Sequence, residues 1–460
     1  MSKFYITTPI YYVNDRPHIG HLYTTLAADI LSRFHAKQGD DVFFLTGTDE
    51  HGAKIAQAAQ ASGKPPKQLA DEVAAEFSQA WDSFAIEPNR FIRTTDEDHI
   101  KFSERFLTKL NEKGVFYGGS YEGLYCVACE AYYKAEELLP GNLDPVHHQI
   151  VEQVKEDVWF FKLSQFEDQL IKLIDGGGLV IEPQSRRNEV LSFIKSGLKD
   201  IPITRSKVGW GIPVPWEKGQ TFYVWIEALL NYLTAAEGKK IWPPDLQIIG
   251  KDILRFHGVI WPALLLAADL PLPKKLVVHG FFTINGEKMS KTTGNVITPQ
   301  ELIDRYGVEA SRMLLFTSFT FGEDGDFSFD FLDRQYNAKL ANDLGNLLQR
   351  TVTLIKNSKI IVKHPREIHC ADAYQALERV DFKAALEAVF LIVSEANQYI
   401  NETKPWAIKD KAELQPILVS LANRLLTIAA GIEPFAPKTA AAIQDQLASL
   451  EPKPLFPKLT

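Results

Sequence analysis

At 460 residues and 45% hydrophobic content the chain is long enough for two or three cores, and its formal net charge of −8 excludes a general polyanion binder while leaving room for a local basic groove. Its three cysteines exclude a disulfide framework. No apolar run approaches the roughly 20 residues of a membrane helix, and Met1-Ser2-Lys3-Phe4-Tyr5-Ile6 lacks a signal-like pattern, so a soluble cytoplasmic protein is expected.

Phe4 to Pro9 reads as a short buried strand, followed by a turn rich in Asn14, Asp15, Arg16 and Pro17. From Gly20, apolar positions at Leu22, Leu26, Ile30 and Phe34 give a helical period. Val42 to Thr46 is a second strand, ended by Gly47-Thr48-Asp49-Glu50-His51-Gly52, and helical patterns cover about 53–62, 66–84 and 97–113. This order predicts a parallel sheet covered by helices. The pattern breaks at Gly114. Residues 115–210 mix short strands, turns and a cysteine pair, and read as an insertion between two halves of one sheet domain. Sheet signals return at Thr221 to Trp225, at Leu246 to Gly250 and near Lys275 to His279. From about residue 335 the chain reads as a helical bundle, with Leu340, Leu344, Leu347, Leu348 and Val352 on one face and similar stripes over 372–401 and 413–431. Prolines 434, 437, 452, 454 and 457 punctuate a tail expected to lie along the surface.

Two signatures carry the chemistry. Pro17-His18-Ile19-Gly20-His21 stands between a strand and a helix, where backbone N–H groups converge on an anion. Gly20 permits close approach of a nucleotide, and His18 and His21 can hydrogen-bond phosphoryl oxygens. The bare pattern also suits two surface histidines in a capping turn. Lys288-Met289-Ser290-Lys291-Thr292 is a two-lysine loop able to close over phosphates and stabilise a departing pyrophosphate; alone, it equally suits a solvated loop. The first is neither a dinucleotide nor a Walker-type loop.

Together the signatures resemble the two ATP-binding motifs of class I aminoacyl-tRNA synthetases. Longer stretches are similar to the methionyl-tRNA synthetase family: Thr7 to Asn14, Phe43 to Gly52, Tyr121 to Cys126, Tyr223 to Tyr232, Ile249 to Ile253 and Tyr399 to Trp406. The resemblance spans nearly the whole chain. It implies an α/β fold: a Rossmann-like parallel-sheet catalytic domain in two halves (1–114 and 211–275), a connective insertion (115–210), a stem-contact region with the lysine loop (276–334) and an all-α anticodon-binding bundle with tail (335–460). It implies ATP-dependent methionine–tRNA ligation with Mg-ATP, L-methionine and tRNA(Met), the initiator included, as substrates.

By the same resemblance His18, His21, Lys288 and Lys291 are the catalytic candidates. Gly20, His51, Lys251, Asp252, Met289, Ser290 and Thr292 are the ATP-side candidates. Ile10, Tyr12, Asp49, Trp225, Ala228, Leu229, Tyr232, Ile253 and His257 form or border a methionine pocket. Asp49 would anchor the α-amino group, Tyr12 and Trp225 would supply aromatic walls, and Tyr232 and His257 would bring polar tips near the sulfur. Trp225, read as the end of a strand, would otherwise be plain core. Arg205 and Arg187 are cations the sequence does not place. Asn346, Arg350 and Trp406 match anticodon-contacting positions, although a tryptophan closing the bundle end fits composition alone.

Cys126-Val127-Ala128-Cys129 has the spacing of a zinc half-site. Family members that hold zinc place a third cysteine where Asp144 stands here. Cys126, Cys129, Asp144 and His147 remain a candidate structural set, with His148 as an alternative donor and a metal-free knuckle as the alternative state. Cys370 reads as buried packing. No appended oligonucleotide-binding domain is visible, so a monomer is expected. A synthetase for leucine, valine or cysteine, a small-molecule nucleotidyltransferase and a non-catalytic RNA-binding module are the rival readings.

Overall fold

The structure is a computed structural model that describes residues 2–127, 130–145, 148–284, 286–289, 296–362 and 368–459. Internal contacts divide the chain into two units, each discontinuous in sequence: Met1–Pro17 with Gly39–Asp82 and Ile86–His279, and His18–Gln38 with Ser83–Ala85 and Gly280–Thr460.

The first unit is built on six parallel strands in the order Arg90–Arg93, Asp41–Asp49, Lys3–Tyr12, Leu246–Gly250, Lys275–His279, Val180–Glu182. Strands such as Leu246–Gly250 are buried at every position, as a parallel sheet covered on both faces requires. Pairing between Lys3–Tyr12 and Asp41–Asp49 shifts register between Thr7 and Ile10, where Pro9 has no N–H to donate. Gly47 is obligatory, because a Cβ there would lie 1.9 Å from the Ile92 carbonyl oxygen. The order runs outward from Lys3–Tyr12 on one side, then resumes on its other side at Leu246–Gly250. That reversal opens a crevice beyond the carboxyl ends of the central strands, where ligands of open α/β sheets bind.

Three readings are corrected in this unit. Arg90–Arg93 and Val180–Glu182 are additional strands, and the latter leaves the insertion to pair with Lys275–Val277. Thr221 to Trp225 does not rejoin the main sheet. Only Thr221–Phe222 is extended, pairing antiparallel with Thr204–Arg205, and Trp225 lies on the helix Val224–Ala228. The insertion carries its own antiparallel sheet, ordered Ala131–Tyr133, Phe116–Cys126, Glu152–Phe161, Ile201–Pro202.

The second unit starts from the helix Ile19–Lys37 and continues through the small sheet of Phe282–Ile284, Glu287–Lys288 and Gly325–Phe327 into helices. The latter include Asn346–Ser358, Ala371–Glu378, Phe382–Thr403 and Lys411–Ile432. Leu340, Leu344, Leu347, Leu348 and Val352 are all buried, as their spacing predicts. The first two sit on a π-helical stretch, Tyr336–Gly345, that runs into Asn346–Ser358. Tyr23 of the first helix stacks on Phe316, 4.8 Å away, and packs against Phe282, Phe319 and Phe321. Beneath them a fully buried Arg312 donates to Asp29 Oδ2 at 2.6 Å and to the carbonyls of Phe435 (2.6 Å), Phe84 (3.0 Å) and Pro434 (3.3 Å).

Two further expectations are corrected here. The proline-punctuated end does not lie along the surface throughout: Pro437–Ser449 is a helix, begun by proline at its first position and burying Ala440, Ile443 and Leu447. The helix Lys411–Ile432 is long and apolar enough to cross a membrane by length and composition alone. It buries Leu418, Leu421, Leu425 and Ile428 inside this unit, the behaviour of a core helix.

Candidate active site

In the second unit the first signature forms the start of its helix. His18 is extended (φ −130°, ψ 174°), and its Nδ1 accepts the Gly20 N–H at 3.1 Å, while His21 Nδ1 accepts the His18 N–H at 3.3 Å. Each Nδ1 is therefore an acceptor, so each neutral ring carries its proton on Nε2. The rings stack with centroids 3.7 Å apart. Sequence spacing placed both rings at one helix start; the reciprocal cap is what orients them. A Cβ on Gly20 would stand 2.9 Å from His18 Cε1 and 3.9 Å from Met289 Cε. The Ile19 N–H donates to the Ile297 carbonyl at 3.0 Å, tying the helix start to the chain just beyond the second signature. Lys288 pairs by its backbone with Thr283. Its side chain, and Ser290, Lys291 and Thr292 entirely, lie outside the described residues.

In the first unit the remaining candidates gather at the carboxyl ends of the strands. Tyr12 and Asp49 are register partners at the ends of Lys3–Tyr12 and Asp41–Asp49. Asp49 is buried, and its Oδ1 has no partner among the described residues. Burial pushes the Asp49 carboxyl well above its ordinary range, and the carboxylates of Glu227 and Glu130 push it the same way. The Tyr12 hydroxyl and Trp225 Nε1 are likewise buried without a partner. A polar ligand group would satisfy atoms of this kind.

Trp225 meets Tyr12 edge to face at 6.0 Å and stacks flat on Phe256 at 3.8 Å. Ile10, Tyr12, Ile253 and Phe256 pack against the cluster that holds Trp225, Leu229 and Tyr232, and Ala228 is buried on the Trp225 helix. Tyr232 and His257 are brought together, but not as two open polar tips. The Tyr232 hydroxyl lies 2.8 Å from His257 Nε2, and His257 Nδ1 lies 3.1 Å from the Ile253 carbonyl. The carbonyl can only accept, so Nδ1 carries the proton and Nε2 accepts from Tyr232. Burial pushes the His257 imidazole down to about 4, so it is neutral at physiological pH.

Lys251 and Asp252 make the first turn after Leu246–Gly250, with Asp252 exposed. Gly250 makes room for Asp252, since a Cβ there would lie 2.6 Å from its Oδ1. His51 is buried, with Nδ1 2.8 Å from Glu227 Oε1. Arg205 pairs with Glu156 at 3.0 Å over the Tyr125 ring, and Arg187 pairs with Asp175 at 2.8 Å, so neither presents an unpaired charge. Sequence reasoning missed Phe256, Glu130, Glu227 and His99. Glu130 caps the helix Ala53–Ala61 by accepting the Lys54 N–H, and desolvation raises its carboxyl to about 7.

Of the knuckle set, Cys126 and Asp144 are fully buried, and Asp144 Oδ2 accepts the Gln149 N–H at 2.7 Å. Cys129 and His147 lie outside the described residues, and the alternative donor His148 is exposed. Among the described residues no three metal-ligating side chains converge. Cys370 is buried, as expected.

On the helix Asn346–Ser358, Asn346 is exposed and Arg350, one turn on, is partly exposed. The Arg350 guanidinium lies 5.6 Å from the Trp406 ring centroid and donates to Asn401 Oδ1 at 2.9 Å. Trp406 is 56% exposed, so it does not close the end of the bundle.

The model of the family described as tRNA synthetases class I (M) matches residues 4–149 and 146–352. A methionine–tRNA ligase of Caldanaerobacter subterraneus subsp. tengcongensis is 43% identical, over 98% of this chain and 74% of the relative. The structure of Mycobacterium tuberculosis methionyl-tRNA synthetase in complex with methionyl-adenylate superposes with a TM-score of 0.90 at 35% identity, covering 100% of this chain and 99% of that one. The free state of the mycobacterial enzyme gives 0.85 at 31% identity, with the same coverage. On sequence, fold and length of match alike, the chain belongs to the methionyl-tRNA synthetase family of class I aminoacyl-tRNA synthetases.

Proposed function

We propose that this chain is a methionine–tRNA ligase. It joins L-methionine to Mg-ATP as methionyl-adenylate, releasing pyrophosphate, then passes the methionyl group to the 3′-terminal adenosine of tRNA(Met), releasing AMP. The observation that carries this reading is the aromatic slot of Tyr12, Trp225 and Phe256 beside the Asp49 oxygen that has no partner among the described residues. It suits an unbranched thioether side chain joined to an ammonium group.

Asp49 receives the α-ammonium, with Ile10, Tyr12, Trp225, Ala228, Leu229, Tyr232, Ile253 and His257 as the pocket. The Nε2–H groups of His18 and His21 stabilise the charge developing at the α-phosphoryl group, and Lys288 and Lys291 that on the leaving pyrophosphate. Gly20, His51, Lys251, Asp252, Met289, Ser290 and Thr292 hold the nucleotide. Chemistry here is alignment and electrostatics, and no protein nucleophile is needed. Asn346, Arg350 and the exposed Trp406 read the anticodon by stacking and base-edge hydrogen bonds.

The division at 1–114, 115–210, 211–275, 276–334 and 335–460 assigns these tasks to a split catalytic domain, a connective insertion, a stem-contact region and an anticodon bundle. We also read the chain as a cytoplasmic monomer. A structural zinc at Cys126, Cys129, Asp144 and His147 is supported by the chemistry of the set, two thiols, a carboxylate and an imidazole being zinc-ligand types, with Cys126 and Asp144 buried. Equimolar zinc in the purified protein, lost on Cys126→Ser, is the expected result; zinc-free folded protein would refute it.

Amino-acid-dependent ATP–pyrophosphate exchange across a panel of amino acids tests the activity. Exchange with methionine is expected; exchange with leucine but not methionine would overturn the assignment.

A further inference from the structure

Glu227 stands on the same short helix as Trp225 and Ala228 but serves a different neighbourhood. It is fully buried, and its two carboxylate oxygens are divided between two histidines. His51 Nδ1 lies 2.8 Å from Oε1, and His99 Nε2 lies 3.0 Å from Oε2. His51 follows Asp49 in the loop beyond the strand Asp41–Asp49, and His99 comes from the helix Glu97–Glu112. His99 is held in turn by Thr234 Oγ1, 3.1 Å from its Nδ1.

A carboxylate only accepts hydrogen bonds, so each histidine nitrogen facing Glu227 must carry its proton. For His51 this assigns the proton to Nδ1 and turns Nε2 away from the carboxylate. The other constraint on His51 is Trp210, edge-on at 5.4 Å, whose indole N–H donates to the Glu50 carbonyl at 2.5 Å. Burial alone would raise the Glu227 carboxyl, but the two histidine donors outweigh it and hold the group below its usual range. A buried, ionised carboxylate with both oxygens bonded to rings from two other elements is a fixed strut rather than a mobile acid.

We propose that Glu227 is the positioning residue that sets the tautomer and direction of His51 for ATP, with His99 as its anchor. This rests on the reading of His51 as a nucleotide-side group. Glu227 lies behind the methionine wall, and Trp225 is held independently by its stack on Phe256. Glu227 also pushes the Asp49 carboxyl up, so losing its charge favours the ionised amino-group anchor, and the loss falls on ATP and turnover rather than on methionine affinity.

The experiment is ATP–pyrophosphate exchange in a mutant cycle on the full-length protein. Glu227→Gln keeps the shape but sets an amide N–H₂ against one histidine N–H. It is expected to lower kcat/KM for ATP by about 10-fold or more while methionine KM moves less than about 3-fold, a split that general loosening of the fold would not produce. In a His51→Ala background the same change should cost less than about 2-fold, because the group it positions is gone. Should Glu227→Gln fail to accumulate as folded protein, His99→Gln runs the same cycle with the same expectation. Equal losses for both substrates, or full multiplication of the two effects, would overturn the inference while leaving His51 as an ATP group. A His51→Ala enzyme with undiminished exchange would overturn the reading of His51 itself, and this inference with it.

Discussion

Replacing Arg312 by alanine should be among the most destabilising single changes in the second unit that touch no substrate candidate. The side chain is 0% exposed and makes four hydrogen bonds, to Asp29 Oδ2 and to the carbonyls of Phe84, Pro434 and Phe435. Truncation removes all four donors at once and leaves a cavity. Asp29, 2% exposed, is not stranded completely, because Arg33 Nε still reaches its Oδ2 at 2.8 Å. That places the cost near the lower end of the range for breaking a buried ion pair, about 3–4 kcal/mol. For a body of 150–250 residues this corresponds to a fall in Tm of roughly 6–16 °C, read by scanning calorimetry. Arg312→Lys should recover less than half of the loss, since one ammonium cannot fork to acceptors on three segments. The double variant Asp29→Asn/Arg312→Met should melt above Arg312→Ala, because methionine refills part of the cavity and no buried carboxylate is left with only one of its two cationic partners. A shift below about 2 °C for Arg312→Ala would refute the reasoning.

Trp406→Ala should impair tRNA charging by about 10-fold or more, in line with roughly 1–3 kcal/mol for a lost base stack, while pyrophosphate exchange stays unchanged; equal losses in both would remove Trp406 from the anticodon surface. Gly20→Ala drives a methyl into His18 at 2.9 Å and should break the histidine cap, lowering kcat for exchange with methionine KM unmoved. The pH dependence of stability should carry the mark of His257. Above its ordinary value of 6.5 the ring is neutral folded and unfolded, and nothing is lost. As pH falls from 6.5 towards the folded value of about 4, only the unfolded chain takes up the proton, so stability declines, by about 2 kcal/mol at pH 5. Urea midpoints at pH 7 and pH 5 should show that decline, and His257→Asn should lessen it.

What the sequence made legible was local. A strand, a proline turn and a helical period locate His18 to His21 without knowledge of the fold, because the anion site of a helix start is made by consecutive residues. Segment 221–236 shows where this stops. It is buried at every position, so it has no polar face and no helical period to display. Its aromatic and β-branched start imitates a strand, and only tertiary burial makes Val224–Ala228 a helix. Arg90–Arg93 was missed for the opposite reason, since two arginines in four residues hide an edge strand of a covered sheet.

The buried polar partners are invisible for a different physical reason. Glu227, His99, Asp29 and Arg312 each sit as single polar residues within helices, and in sequence a buried strut is indistinguishable from a solvated side chain. Their meaning comes from pairing across long stretches of chain, 128 residues for His99 and Glu227 and 283 for Asp29 and Arg312. The same holds for the two signatures. Their letters mark both ends of the proposed nucleotide clamp, but the backbone hydrogen bond from Ile19 to Ile297, just beyond the second of them, is one that any residue types could make. Side-chain identity therefore marks the groups proposed to touch ligand, whereas the groups that hold them in register are recovered only from geometry. Loss of a positioning pair should accordingly appear as a change in turnover or stability with substrate contacts intact, the split that the Glu227 and Arg312 variants are designed to read.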